Sequence, residues 1–194
     1  MKTILTLLLI IGGVFLIQAR SYQGYLVTKN DFHLTGYINV IRYEPQRIVV
    51  EFVNDFGDVY QIHPALVKGF SFTEDGQTYN YISRFHENRW LYLEVMHLGR
   101  YLSLYQAPPT SERWVDGRML GVIPAVEQYW LQFRRGEVEP VRRGGFKRQI
   151  RKLFEGQEID DFSGKLGKSG YKYRNLYDIV VEYNELAGRR RGRL

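Results

Sequence analysis

The sequence predicts a mainly β protein with C-terminal helices: an antiparallel sheet or open barrel of about 8–10 strands, carrying 2–3 α-helices. Three observations predict it. Aromatic residues make up 15% of the 194 positions, including 15 Tyr and 11 Phe, and such side chains favour half-buried pleated surfaces. Apolar and polar residues alternate with period two as far as Val141, between clusters of Gly, Asn and Asp. After Gly144-Gly145 the apolar spacing becomes that of a helix.

The strands are legible one by one. Tyr25 to Thr28 leads into Lys29-Asn30-Asp31, after which Phe32, Leu34, Ile38 and Val40 alternate with His33, Thr35, Tyr37 and Asn39. Ile48, Val50 and Phe52 continue the pattern until Asn54-Asp55-Phe56-Gly57-Asp58 breaks it. Residues 67–72 and 79–85 flank Glu74-Asp75-Gly76, where Asp-Gly marks a hairpin turn. Glu87-Asn88 reads as a two-residue turn into residues 90–96, which places His86 opposite Arg89. Gly99 turns the chain into residues 101–105. Pro108, Pro109 and Pro124 mark residues 106–126 as a long, mostly irregular connection. A last hairpin joins residues 129–133 and 138–141 around Gly136.

Phe146, Ile150, Leu153 and Phe154 then fall on one face of a helix, and Leu176, Ile179, Val180 and Tyr183 on one face of a second. Asn175 is placed to cap the second helix and Gly188 to end it. The organisation is therefore a leader over residues 1–19, an antiparallel β domain over 20–143, helices packed on it over 144–188, and a disordered basic tail over 189–194.

The leader carries the expectation of export. Met1-Lys2-Thr3 is a short positive start, residues 4–17 are almost wholly apolar, and Ile17-Gln18-Ala19 supplies a small residue for cleavage. An uncleaved anchor is the rival reading, but 14 apolar residues rise only about 21 Å as a helix, short of a bilayer core of roughly 30 Å. The expected location is periplasmic, cell-surface or extracellular, with the protein soluble after cleavage. The absence of cysteine removes disulfides, thiol nucleophiles and thiolate metal sites together, so the core alone must hold the fold.

The net charge of +6 is unevenly placed. From Arg142 onward there are 14 Lys or Arg against 7 Asp or Glu, whereas residues 20–141 carry 12 against 14. Lys147, Arg148, Arg151 and Lys152 lie opposite the apolar face of the first helix, and Arg189, Arg190, Arg191 and Arg193 crowd the C-terminus. These eight residues are the candidate anion-binding set. An anionic lipid or polysaccharide surface would suit them, and another envelope protein is the other candidate partner. The plain alternative is a solvated helix face and a solubilising tail. Nucleic acid fits poorly, since export removes it and no aromatics interleave with the basic run.

Catalytic chemistry is hard to find. There is no Gly-x-Ser-x-Gly elbow, and His33, His63, His86 and His97 are scattered. Asp160-Asp161 diverge by about 100° on a helix. Asp55 and Asp58 sit in a turn that lacks the spaced oxygen ligands of a calcium loop. No cofactor, metal or enzymatic activity is called for. A second binding signal is the aromatic set Tyr22, Tyr25, Tyr37, Tyr79, Tyr81, Trp90, Tyr92 and Tyr101, which would line a barrel mouth for an apolar ligand or sugar, or else pack as core.

Several stretches together resemble a family of exported β-rich proteins of Bacteroidota. They are Gly24-Tyr25-Leu26-Val27-Thr28 with Leu34-Thr35-Gly36-Tyr37-Ile38, Val67-Lys68-Gly69-Phe70, Tyr92-Leu93-Glu94-Val95, Leu102-Ser103-Leu104-Tyr105 and Val180-Val181-Glu182-Tyr183-Asn184-Glu185. The resemblance implies export and this layout, and carries no catalytic residues. Members of that family often end the last helix with Tyr-Asn-x-Cys, with another Cys earlier; here Leu186 takes the first position and no Cys lies near Gln157. Three functions follow as expectations. The first is a non-enzymatic envelope protein serving as an interaction or binding module. The others are an anionic-surface binder acting through the basic C-terminus, and a lipocalin-like small-ligand carrier.

Overall fold

The computed structural model describes residues 21–44, 47–107, 114–115, 118–119, 128–134, 136–157 and 159–191. The expected leader, Arg193 and most of residues 108–127 lie outside them. The strands are β1 (Tyr22–Thr28), β2 (His33–Glu44), β3 (Arg47–Asn54), β4 (Val59–Ile62), β5 (Val67–Glu74), β6 (Gln77–His86), β7 (Arg89–His97) and β8 (Leu102–Gln106). There follow β9 (Trp114–Val115), β10 (Arg118–Met119), β11 (Tyr129–Phe133) and β12 (Val138–Val141). Ten of them form one open antiparallel sheet in the order β12-β11-β8-β7-β6-β5-β1-β2-β3-β4, while β9 and β10 pair separately. Among the described residues there are two α-helices, α1 (Phe146–Phe154) and α2 (Leu176–Arg191).

The turns explain the central meander. Asp75 and Gly76 take φ of 49° and 79°, and Glu87 and Asn88 take 44° and 64°. Two successive left-handed residues give the two-residue hairpin whose twist matches its strands. His86 accordingly pairs with Arg89.

The sheet is not flat, and one short link explains why. β4 and β5 are separated in the sheet by three strands, about 19 Å at normal spacing. Residues 63–66 must bridge that gap, although Pro64–Leu66 form a tight 3-10 turn, and even a fully extended link would span only about 17 Å. The first strands therefore curl until β4 overlies β7, and the Tyr92 hydroxyl donates to the Ile62 carbonyl at 3.0 Å across the interior. Leu26, Ile38, Val50, Phe52, Phe70, Phe72, Tyr81 and Tyr92 fill this first roll. Gly36 makes the curl possible, because a Cβ there would sit 2.3 Å from the Val53 carbonyl and 2.7 Å from the Phe52 ring.

The other half of the sheet rolls the opposite way. Side chains alternate faces along a strand, and Leu91 and Leu93 belong to a different core from Tyr92 between them. That second core holds Leu91, Leu93, Tyr105, Trp130 and Val138, and β12 folds over it to approach β6. Across its interior Arg84 Nε and the Tyr105 hydroxyl both donate to Gln132 Oε1, at 3.3 and 3.0 Å. The sheet is thus S-shaped in section, with β6 and β7 shared by both curls.

The helices cover the outside of the second roll. Phe146, Ile150, Phe154, Ile179, Val180 and Tyr183 pack with Leu102, Leu104 and Leu131 in a third cluster. Asn184 secures α2 to the start of β8. Its Oδ1 accepts from the amides of Tyr101 and Leu102 at 2.9 and 3.2 Å, and its Nδ2 donates to the Leu102 carbonyl at 2.7 Å.

Several sequence expectations need correction. Gly188 does not end the second helix, which continues through Arg191; Ala187 is buried on the sheet and Arg189 reaches Glu185 one turn back, so the helix stays anchored beyond the glycine. Arg189, Arg190 and Arg191 are therefore helical rather than a disordered tail. Asn175 does not cap α2 through its side chain, whose Oδ1 is buried without a partner; the chain enters α2 through a 3-10 turn over Tyr173–Asn175. β4 and the β9–β10 hairpin were not foreseen.

Tyr92→Phe removes the hydroxyl that closes the first roll and leaves the Ile62 carbonyl short of a donor, so urea unfolding should show a loss of about 1–3 kcal/mol. Asn184→Ala strips two amides and a carbonyl of their partner at the edge of the helix layer. It should cost roughly 2–4 kcal/mol in the same assay, with the residual fold visible by far-UV circular dichroism.

Candidate functional site

The first helix shows how the chain assembles its cationic surface. Gly145 adopts φ 73° just before α1 and provides its N-cap, a backbone state that glycine accepts without strain. Gln149 then ties α1 to β12, accepting from the Arg142 amide at 2.8 Å and donating to the Pro140 carbonyl at 2.6 Å. With Phe146, Ile150 and Phe154 buried, the opposite face must carry Lys147, Arg148 and Lys152, all exposed, while Arg151 is half-buried. Residues 142–152 hold six Lys or Arg and no Asp or Glu.

These four cations border one concavity of about 950 Å³, together with Gly145, Phe146, Glu155 and Ser163. Across from α1, Ser163 brings the segment between the helices, residues 159–171, to its edge as a second wall. Two of the cations are held by that wall. Arg151 Nε donates to the Leu166 carbonyl at 3.3 Å. The Lys147 stem lies on Gly167, where φ is 84° and a Cβ would come within 2.5 Å of Lys147 Cγ. Lys147, Arg148 and Lys152 have no acidic partner among the described residues.

The wall is itself clamped to α2. Lys165 Nζ meets Glu182 Oε1 at 2.7 Å, and the Tyr171 hydroxyl donates to Glu182 Oε2, also at 2.7 Å. The Lys165 ammonium also lies over the rings of Phe162 and Tyr171. Burial pushes the Glu182 carboxyl up, but the hydrogen bonds from Lys165 and Tyr171 and the lysine's charge outweigh it and hold the group below its ordinary value. The hydrogen bond that each donates to Glu182 raises Lys165 and Tyr171 in turn. Neither the Glu182 clamp nor the role of Gly167 is signalled by local sequence, because each joins residues from separate segments.

The other candidates fall apart in space. Arg189 and Arg190 stand on the last turn of α2 and do not line the concavity, and Arg191 ends that helix. Their charge complements the negative end of the helix dipole. Tyr22, Tyr79 and Tyr81 each stack on Phe72, and Tyr92 meets Phe70 edge-on; Tyr81 and Tyr92 are core, with Tyr22 and Tyr79 half-buried at its edge. Tyr101 is buried beneath the helices, Trp90 stacks with Phe85 and Lys29, and Tyr25 and Tyr37 face outward on the first roll.

The histidines serve separate local contacts. His33 stacks on Tyr25, His63 accepts from the Ala65 amide, and His86 and His97 meet Trp130 and Tyr177 edge-on. Asp58 is held in its turn by Asn54. Among the described residues no group of three His, Asp or Glu side chains is placed to hold a metal ion, and no helix is long and apolar enough to cross a membrane. Comparison with family models, curated proteins and solved structures finds no match to this chain.

The clamp generates a pH signature. A carboxyl held below its unfolded value adds stability above that value, and loses it as pH falls through the folded one. The urea midpoint of Glu182→Gln should lie below that of the native protein at neutral pH, and the gap should close as pH drops below about 4. A gap that stays constant with pH would show that Glu182 acts through packing alone.

Proposed function

We propose that the protein is an exported, non-enzymatic binding module of the cell envelope, and that the concavity beside α1 binds an acidic polysaccharide. The carrying observation is the convergence of Lys147, Arg148, Arg151 and Lys152 on one depression whose described lining holds one carboxylate, Glu155, with Lys147, Arg148 and Lys152 in no ion pair among the described residues. An arginine oriented by a backbone carbonyl and a lysine seated on a glycine present charge at fixed positions, which suits repeated carboxylate or sulfate groups. Export rests on the leader, and the resemblance to exported Bacteroidota proteins supports the same location.

An anionic membrane is the weaker partner. A helix that lies in a lipid interface inserts its apolar face, and the apolar face of α1 is already buried in the protein core.

The test is binding of a sulfated polysaccharide such as heparin by isothermal titration across a salt series. Binding should weaken steeply with salt, and the double variant Lys147→Glu, Lys152→Glu should weaken it about a hundredfold at low salt. Removing residues 189–194 should change it less than about threefold. Salt-independent binding, or loss on tail removal alone, would contradict the assignment. So would saturable binding to anionic vesicles with none to heparin.

A further inference from the structure

On the outside of the first roll, away from the helices, the strand register builds a second and chemically different depression. It spans β1, β2, β5 and β6, with a volume of about 370 Å³, and among the described residues its lining includes no Lys, Arg or Glu. Across the sheet Tyr25 lies between Thr35 and Ser71, with Asn80 beyond, and Gln23 lies opposite Tyr37. Gly24 and Gly36 are paired across β1 and β2 and add bare backbone to its floor.

We infer that this groove binds an uncharged oligosaccharide. The chemistry is that of a sugar's two kinds of surface. A pyranose presents a flat patch of C–H bonds, which an aromatic face covers, and a rim of hydroxyls that both donate and accept. Tyr37 stands 43% exposed, and Tyr25 is braced by its stack on His33, ring centroids 4.6 Å apart. A braced ring loses little freedom on binding. Between and beside the rings the groove offers hydroxyls and an amide. Asp55 supplies the single carboxylate of the lining, steadied at the margin by the Thr35 hydroxyl at 2.9 Å.

Among the described residues the lining has no cationic side chain, which sets this groove apart from the concavity at α1. Asp55 at its margin repels a polyanion. A peptide partner is less well served, because β1, β2, β5 and β6 each have hydrogen-bonded neighbours on both sides and offer no free edge for strand addition. The sugar-binding role thus belongs to Tyr25 and Tyr37, while Tyr81 and Tyr92 are core and Tyr22 and Tyr79 stack at its edge.

The test is a glycan array covering neutral hexose, N-acetylhexosamine, pentose and deoxyhexose oligomers, followed by saturation-transfer NMR on the best neutral ligand. Binding should be insensitive to salt and fall about tenfold in Tyr37→Ala, with near-UV circular dichroism confirming the fold. Thr78→Ala should weaken it by a smaller factor, and the Lys147→Glu, Lys152→Glu variant should bind the neutral sugar unchanged. The last variant separates this groove from the acidic-polysaccharide site, so either can fail alone. No neutral glycan bound across the array would overturn the inference. Binding that ignores Tyr37→Ala, or that follows the lysine variant, would overturn it equally.

Discussion

The structure turns on the short link between β4 and β5. Four residues containing a 3-10 turn cannot cross three strands of a flat sheet, so the first strands must curl back over β7. The curl buries Phe70, Phe72, Tyr81 and Tyr92 on one face, and β12 closing towards β6 buries Leu91, Leu93 and Trp130 on the other. β6 and β7 therefore work as a two-sided central wall. Burial in the first roll, joined at Tyr81 by the neighbouring Glu94, raises the phenolic pKa of Tyr81 and Tyr92 well above the ordinary tyrosine range, since an ionised phenolate would be stranded from water.

The opposed curls also decide where binding surfaces can lie. The helices cover the outer side of the second roll, so the basic face of α1 must point to solvent once Phe146, Ile150 and Phe154 are spent on the core. Among the described residues no helix covers the outer side of the first roll, which presents a polar, aromatic sheet surface. One sheet thus offers a cationic concavity at one end and a polar groove with a single described carboxylate, Asp55, at the other. The interhelical segment is ordered around the first of these by a buried aromatic cluster and the Lys165–Glu182–Tyr171 clamp.

Much of this was legible in the sequence because its signals are local. Asp75-Gly76 and Glu87-Asn88 announce their hairpins, and the apolar stripe from Phe146 to Phe154 announces α1 together with its basic face. The opposed curls were not legible. They depend on how far residues 63–66 must reach and on glycines such as Gly36, whose necessity appears only when Val53 and Phe52 crowd it. Gly188 misled for a related reason, because packing of Ala187 outweighs the helix-ending tendency of one glycine. The candidate set divided in the same way. The four cations of α1 share a face by helical period, whereas the tail arginines had only proximity in composition to recommend them.

The most direct measurement of the central claim is a residue-resolved footprint of an acidic polysaccharide on the intact protein, read from amide shift changes on titration with a heparin tetrasaccharide. The largest changes should fall at residues 145–152 and 163–167 and saturate together, with β1, β2 and the last turn of α2 quiet. Changes centred on Arg189 to Arg191, or spread evenly over every exposed lysine and arginine, would show the concavity to be ordinary surface charge and would contradict that claim.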